Sequence, residues 1–434
     1  MDQAAPNAAQ EWRAGWKVVL AAAMGFSYFG MMIGTTGMFM EPLRHEFGWN
    51  RTVLSLGNTI TSVTHGILSP FFGILIDRFG SRRMALPGIL LTTLAGCAFA
   101  FLSGSPVQWV ALWVIFGLVS TSIKTTVWNA AVASVFDKGL GLALGVALAG
   151  TAVTSIVLPP LANWLIADLG WRQAYAWLSI GWGGLTLLVC WLCLSDAHSR
   201  ADARKRSGMI ADPVPAEAGL GLTLGQAIRD LALLRVAAST VIVIMLTIGL
   251  QVHLFPILTE AGVPRAQAAW LMSLAGVAAL AGKVVSGVLL DRFRPNWIGA
   301  ITLGVSALSF GLLLDGLRTP ALIIVAILVN GYTGGTKMQI CAFLTVAYGG
   351  TRNFGAIFGS MATMIAIGSG LGPVIAGLIY DSAGGYGPFL IAGTVGSLVA
   401  ALLLFSLPAY PNWKAVDAFP EPTDPAAGKG GAIA

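Results

Sequence analysis

The sequence predicts an all-α membrane protein: twelve transmembrane helices in two pseudo-symmetric six-helix bundles. Three observations predict it. Charged residues make up 10% of the 434 positions and apolar residues 56%, with a mean hydropathy of +0.79; an ordinary soluble domain carries about 25% charged residues. Apolar runs long enough to cross a hydrocarbon core of ~30 Å recur along the whole chain. Finally, adding 214 to positions in the first half lands on matching residues in the second, without gaps.

The predicted spans fall at 17–40, 52–76, 84–103, 108–134, 139–166 and 171–194, then at 236–258, 266–290, 296–316, 319–346, 352–380 and 386–407. A helix satisfies its own backbone in lipid, so the Ser, Thr and Gly within these runs are tolerated. A β-barrel would show alternating segments of about 10 residues, and the sequence has none. The polar, charged stretch between the sixth and seventh runs reads as a linker. The expected organisation is a first bundle over 1–195, a cytoplasmic linker over 196–229, a second bundle over 230–410 and a disordered cytoplasmic tail over 411–434.

The repeat rests on its harder matches. Glu46, Gly48 and Arg51 map onto Glu260, Gly262 and Arg265; Asp77, Arg78 and Phe79 map onto Asp291, Arg292 and Phe293. Gly73, Gly141, Gly145, Pro159 and Gly170 map onto Gly287, Gly355, Gly359, Pro373 and Gly384. The offset gives six spans per half in the same orientation, a pattern of secondary transporters.

Net charge of +6 raises the question of nucleic-acid binding, but the placement of the cations answers it. With the N-terminus in the cytoplasm, 17 of the 25 Lys and Arg residues lie on cytoplasmic segments, five on the outer side and three inside spans. That bias sets both termini in the cytoplasm of a cell inner (plasma) membrane, and no nucleic-acid partner is expected. The N-terminal stretch carries no signal-peptide pattern, so the first span is expected to serve as the membrane signal. Cys97, Cys190, Cys193 and Cys341 all sit in apolar helices, and no metal or redox role is expected of them. Gly276 to Lys283 resembles a phosphate loop only superficially: five residues separate the glycines, and Val284 stands where Ser or Thr is required. No cofactor and no enzymatic activity are expected, so transport must run on gradients.

The segment GILIDRFGSRR at 73–83 joins the second and third spans, and GVLLDRFR at 287–294 is its degraded copy. Here the chain resembles the major facilitator superfamily, whose G-x-L-x-D-R-x-G-R-[KR] loop sits at this place. The resemblance implies the superfamily's fold and alternating access, with Gly73, Asp77, Arg78, Arg82, Arg83, Asp291 and Arg292 gating the cytoplasmic side. A finer resemblance, to the monocarboxylate-porter and oxalate/formate-exchanger branch, is carried by FGWNRT at 47–52, VFDK at 135–138 and HLFPILTEAG at 253–262. The chain departs from that branch in span 8. Porters often carry Arg-Pro-x-x-Gly there, with an acidic residue four positions earlier. This chain has Lys283 in place of the Arg and Ala279 at the acidic position. The cation is kept and the acid is gone, which leaves proton coupling open.

Three lysines lie inside spans: Lys124 in span 4, Lys283 in span 8 and Lys337 in span 10. A charge at the centre of a helix costs roughly 2.5–3.5 kcal/mol on insertion scales, so it marks a pathway by default. No Asp or Glu falls well inside any span, and three cations without acidic partners form a positive site that an anion completes. Lys124 and Lys337 are near mates under the repeat and are expected to face each other. Their spans carry polar stripes: Ser120, Lys124 and Trp128 flanked by Asn129, and Asn330, Thr333 and Lys337. Lys124, Lys283 and Lys337 are therefore expected to bind carboxylate, Asn129 and Asn330 to orient it, and Trp128 to pack on its body. For Lys283 the competing explanation is snorkelling toward the interface. For Ser and Thr alone it is helix–helix hydrogen bonding, and for Trp128 packing against lipid. His65 and His253, the two histidines inside spans, are the proton-coupling candidates. The expected protein is a monomer moving a small organic anion, a mono- or dicarboxylate and aromatic or not, by proton symport or anion exchange. The alternatives are an efflux pump of the same fold, against which the missing acids argue, and a non-transporting sensor.

Overall fold

A computed structural model describes residues 8–136, 139–194, 221–350 and 352–411. Most of the predicted linker and nearly all of the predicted tail lie outside the described residues. Span 1 is Ala8–Phe47, span 2 Arg51–Phe79 and span 3 Ser81–Ala98. Span 4 is in two pieces, Pro106–Ser120 and Thr125–Ala133. Span 5 begins as Leu140–Leu148 and continues into the helix Gly150–Cys193, whose second part is span 6. Spans 7 to 12 are Leu231–Glu260, Arg265–Arg292, Pro295–Gly311, Pro320–Gly349, Phe354–Ala383 and Gly387–Phe405.

Among the described residues, nine helical stretches are long and apolar enough to cross a membrane. The predicted twelve are accommodated because Leu142–Cys193 holds two, turning at Gly170 (φ 79°). Span 2, Arg51–Phe79, and span 9, with only 17 residues, complete the twelve. Helix starts carry their own signals. The side chains of Asn50, Asp230 and Thr319 accept the N–H of Val53, Leu233 and Leu322, satisfying first-turn donors that have no intrahelical partner.

The 214-residue register is visible in the backbone. Spans 2 and 8 begin at Arg51 and Arg265, and spans 5 and 11 at Leu140 and Phe354. The repeat mates Gly48 and Gly262 turn with φ of 67° and 83°, and Gly170 and Gly384 with 79° and 72°. A side chain at any of these would be strained in the left-handed region, which gives the matched glycines a physical reason.

The halves meet through spans 2 with 11, 5 with 8, and 1 with 7. Among the described residues, contact is closest from the middle of the bundle to the end that carries Arg51. A Cβ placed on Gly377 would lie 2.9 Å from the backbone of Arg51, and one on Gly276 2.9 Å from Ser155. Toward the opposite end the same helix pairs part: a Cβ on Gly73, Gly145, Gly287 or Gly359 would meet nothing within 4 Å. The buried apolar core repeats this asymmetry. One cluster joins the first half to the Arg51 end of the second, while a separate cluster fills the opposite end of the second half. The two halves are sealed at the Arg51 end and splayed at the Gly73 end. Gly287→Leu is therefore expected to fold normally and to trap this state, since the added side chain obstructs closure of the splayed end. Unchanged melting with lost exchange in vesicles checks it.

Candidate functional site: a lysine-lined central cavity

A cavity of about 220 Å³ opens between the halves. From the first half it is lined by Gly34 of span 1 and by Thr151, Ser155 and Pro159 of span 5. The second half supplies Thr247 and Gln251 of span 7, Lys283 with its small neighbours on span 8, and Asn330, Gly334, Gly335 and Lys337 of span 10. No Asp, Glu or aromatic side chain is among the lining residues. Spans 8 and 10 approach closely because Gly331 and Gly335 face the backbone of Ala275 and Ala279. That close approach brings Lys283 and Lys337 to one cavity.

Each lysine is held by a single hydroxyl. Lys337 Nζ donates to Thr247 Oγ1 at 2.6 Å, and Lys283 Nζ donates across the halves to Thr151 Oγ1 at 3.2 Å. Both threonine hydroxyls donate in turn to backbone carbonyls, of Val243 and Leu148. An ammonium has three N–H groups and no acceptor, so each lysine keeps donors without a protein partner among the described residues. Lys283 does not snorkel away. It reaches into the cavity and ties span 8 to span 5.

Three predicted members stand elsewhere. Span 4 is broken at Lys124: a 3-10 turn covers Thr121–Ile123 and Lys124 itself is extended (φ −66°, ψ 166°). The i, i+4, i+8 stripe expected of a continuous helix is lost there, and with it the expected facing of Lys124 and Lys337. Lys124 Nζ donates to Ser69 Oγ of span 2 at 2.7 Å, outside the cavity. Trp128 is fully buried, its Nε1 donating to the Ile123 carbonyl at 2.7 Å and its ring packed on Gly25 of span 1. It is neither a lipid-facing nor a cavity-lining ring. Asn129 is exposed and does not line the cavity. His65 lies between spans 2 and 4, with Nε2 2.9 Å from Ser120 Oγ.

The cytoplasmic gating set forms no ion pair or hydrogen bond between the halves among the described residues. Arg82 caps span 6 of its own half, donating to the carbonyls of Leu194 (2.7 Å) and Trp191 (3.0 Å), where the helix dipole favours a cation. Arg78 lies over the ring of Phe79 at 5.5 Å, and Arg83 and Arg292 are exposed. The side chains of Asp77 and Asp291 lie outside the described ones.

The seal around Arg51 at the closed end is the element that sequence reasoning missed. Arg51, 1% exposed, places Nη2 2.5 Å from Glu260 Oε1 and 3.6 Å from Glu41 Oε2. Its guanidinium carbon lies 4.9 Å and 5.7 Å from the ring centres of Tyr380 and Tyr386. Tyr380 donates to Glu260 at 2.9 Å. Asp381 accepts the backbone N–H of Arg51 (3.0 Å) and of Thr52 (2.8 Å), an anion at the start of span 2 where the helix dipole welcomes it. A signal was present in the repeat: Arg51 and Glu260 both belong to matched pairs. Glu46, the mate of Glu260, pairs with Arg172 (2.7 Å) inside its own half, while Arg265, the mate of Arg51, also crosses and donates to the Met38 carbonyl at 3.4 Å.

Comparisons with known proteins agree with this architecture. The profile of the Major Facilitator Superfamily matches residues 20–259 and 233–429. Monocarboxylate transporter 13 of Bos taurus is 26% identical over 426 residues, covering 94% of each chain. Monocarboxylate transporter 4 of Rattus norvegicus is 24% identical over 412 residues, covering 90% of this chain and 82% of its own. Among solved structures, a D-xylose-proton symporter aligns with a TM-score of 0.69 at 14% identity, over 92% of this chain and 98% of its own. A bacterial homologue of the human lysosomal transporter Spinster, inward-facing and occupied, aligns at 0.66 and 14%, over 90% and 95%. The chain belongs to the Major Facilitator Superfamily, as a multi-pass membrane transporter resembling the monocarboxylate-porter branch.

Proposed function

We propose that this secondary transporter carries a small organic carboxylate, held between Lys283 and Lys337 and moved by rocking of the two halves. One observation carries the reading: two ammonium groups with unused N–H donors line a single cavity that holds no acidic side chain. Buried cations without partners are costly, and a carboxylate supplies both the charge and the acceptors. Asn330 and Gln251 line the same space and can orient the body of the substrate. The absence of an aromatic side chain among the described lining residues favours an aliphatic acid over an aromatic one. Thr151 of one half and Lys283 of the other meet at the cavity, so a substrate that engages Lys283 loosens a tie between the halves. The distribution of Lys and Arg supports a plasma-membrane orientation with both termini in the cytoplasm, making the sealed face the outer one. The similarity to proteins named monocarboxylate transporters supports the same substrate class. A drug-efflux reading finds no carboxylate in the cavity to attract cations. Proton symport and anion exchange both accord with the site. Counterflow in proteoliposomes decides: short carboxylates are expected to exchange and cationic drugs are not. Exchange of the drugs alone would overturn the proposal.

A further inference from the structure

The outer seal contains a histidine whose protonation state is fixed by its neighbours. His253 of span 7 is fully buried between the halves. Its Nε2 lies 2.9 Å from the Pro373 carbonyl of span 11, which can only accept. Nε2 therefore carries a hydrogen. Ser55 Oγ of span 2 lies 3.0 Å from the same nitrogen and donates its own hydrogen to the Arg51 carbonyl at 2.8 Å. It too accepts from Nε2. On the other side of the ring, Nδ1 lies 2.8 Å from the Tyr386 hydroxyl. With Nδ1 bare, Tyr386 donates to it, and the polar atoms of His253, Ser55 and Tyr386 are each satisfied. With Nδ1 protonated, the Tyr386 hydrogen has no acceptor among the described residues, and a second cation is buried beside Arg51.

We infer that His253 is a proton-binding site built into the outer seal, and that the seal closes only over the unprotonated ring. Ser55 belongs to the first half, while His253, Pro373 and Tyr386 belong to the second. When the outer ends of the halves part, Ser55 leaves and the imidazole meets the outer medium, where an ordinary solvated histidine titrates near ~6.5. The proton comes from outside water and returns there before closure. The inference rests on the transporter reading for its meaning and on the seal geometry for its existence.

The sign follows from linkage. The open state binds the proton and the closed state does not, so acid favours the open state. For a group titrating near ~6.5, the open-to-closed ratio is expected to rise about 30-fold from pH 8 to pH 5. Other charged groups face the ring's surroundings from every packed element: Glu41 of span 1, Arg51 of span 2, Glu260 of span 7, Arg265 of span 8, and Tyr380 and Asp381 of span 11. Span 10 contributes only Lys337, held on Thr247 deeper in the bundle. A His253 variant keeps all of these groups, so only the pH dependence that the variant loses belongs to His253.

The test is double electron–electron resonance between nitroxides at Val107 and Leu317, exposed residues at the outer ends of the two halves. It uses a background whose four cysteines are replaced and which still reconstitutes. The long-distance population is expected to grow by the stated factor as pH falls, and His253→Gln is expected to flatten the profile, since its amide can still donate to Pro373. His253→Asn serves if His253→Gln does not fold. A flat wild-type titration overturns the inference, and so does a variant that keeps the full pH dependence. The distances are read without substrate, so a failure to transport carboxylates leaves this result standing, and the reverse also holds.

Discussion

Lys337→Ala is expected to lower kcat/KM for carboxylate uptake by about 100-fold, which corresponds to ~2.7 kcal/mol of lost interaction with the substrate anion. The magnitude follows from a charge-assisted hydrogen bond made where water is scarce. Lys337 has one protein partner, Thr247 at 2.6 Å, so the substrate is the main acceptor its charge can find. The same substitution is expected to leave the melting temperature unchanged or to raise it, because a buried cation with only a hydroxyl for company is removed. Loss of transport with gained stability separates a binding role from a structural one. Lys337→Arg is expected to recover only part of the activity: it restores the charge, but its planar fork needs room between Thr247 and the glycines of span 10. Initial-rate uptake in proteoliposomes alongside thermal melting measures both.

Arg51→Ala is expected to open the outer side. It removes the bond to Glu260 and the two aromatic faces, and it strands Glu260 in a partly buried place. Breaking one partner out of a buried ion pair costs about 3–5 kcal/mol; with Glu260 a third exposed the lower end applies, and this pair bridges the halves only while the outer side is closed. A shift of that size moves the open-to-closed ratio by roughly 100-fold or more. The readout is labelling of a cysteine placed at Leu254, a cavity-lining position, by a membrane-impermeant thiol reagent added from outside. Faster labelling in Arg51→Ala is expected. Equal rates would mean that the seal is held by the close helix contacts at Gly377 and Gly276 and not by Arg51.

Much of the fold was legible because lipid imposes simple rules. Span length, self-satisfied backbones and the cation bias are properties of composition, and the 214-residue register survived because turns at Gly48, Gly262, Gly170 and Gly384 need left-handed backbone. The site was legible in part. Lys283, Lys337 and Asn330 were visible as polar groups in apolar helices, and they do share one cavity. Lys124 and Trp128 were misplaced because i, i+4 spacing assumes an unbroken helix, and nothing in the string TSIKTTVW announces the extended residue at Lys124. The seal around Arg51 depends on which state the molecule occupies. Sequence periodicity describes a helix and not the distance between two helices, so contacts made in one state and broken in another leave no period to read. The pairing of Arg51 with Glu260 across 209 positions is of that kind.

The central claim is that the substrate anion sits between two lysines of the second half. Its most direct test is a cryo-electron-microscopy map of the protein with whichever short carboxylate counterflow returns as a substrate. The account predicts density in the cavity within hydrogen-bonding distance of both Lys283 Nζ and Lys337 Nζ, with Asn330 or Gln251 alongside. Density at Lys124 in the first half, or a cavity left empty under saturating substrate, would contradict it.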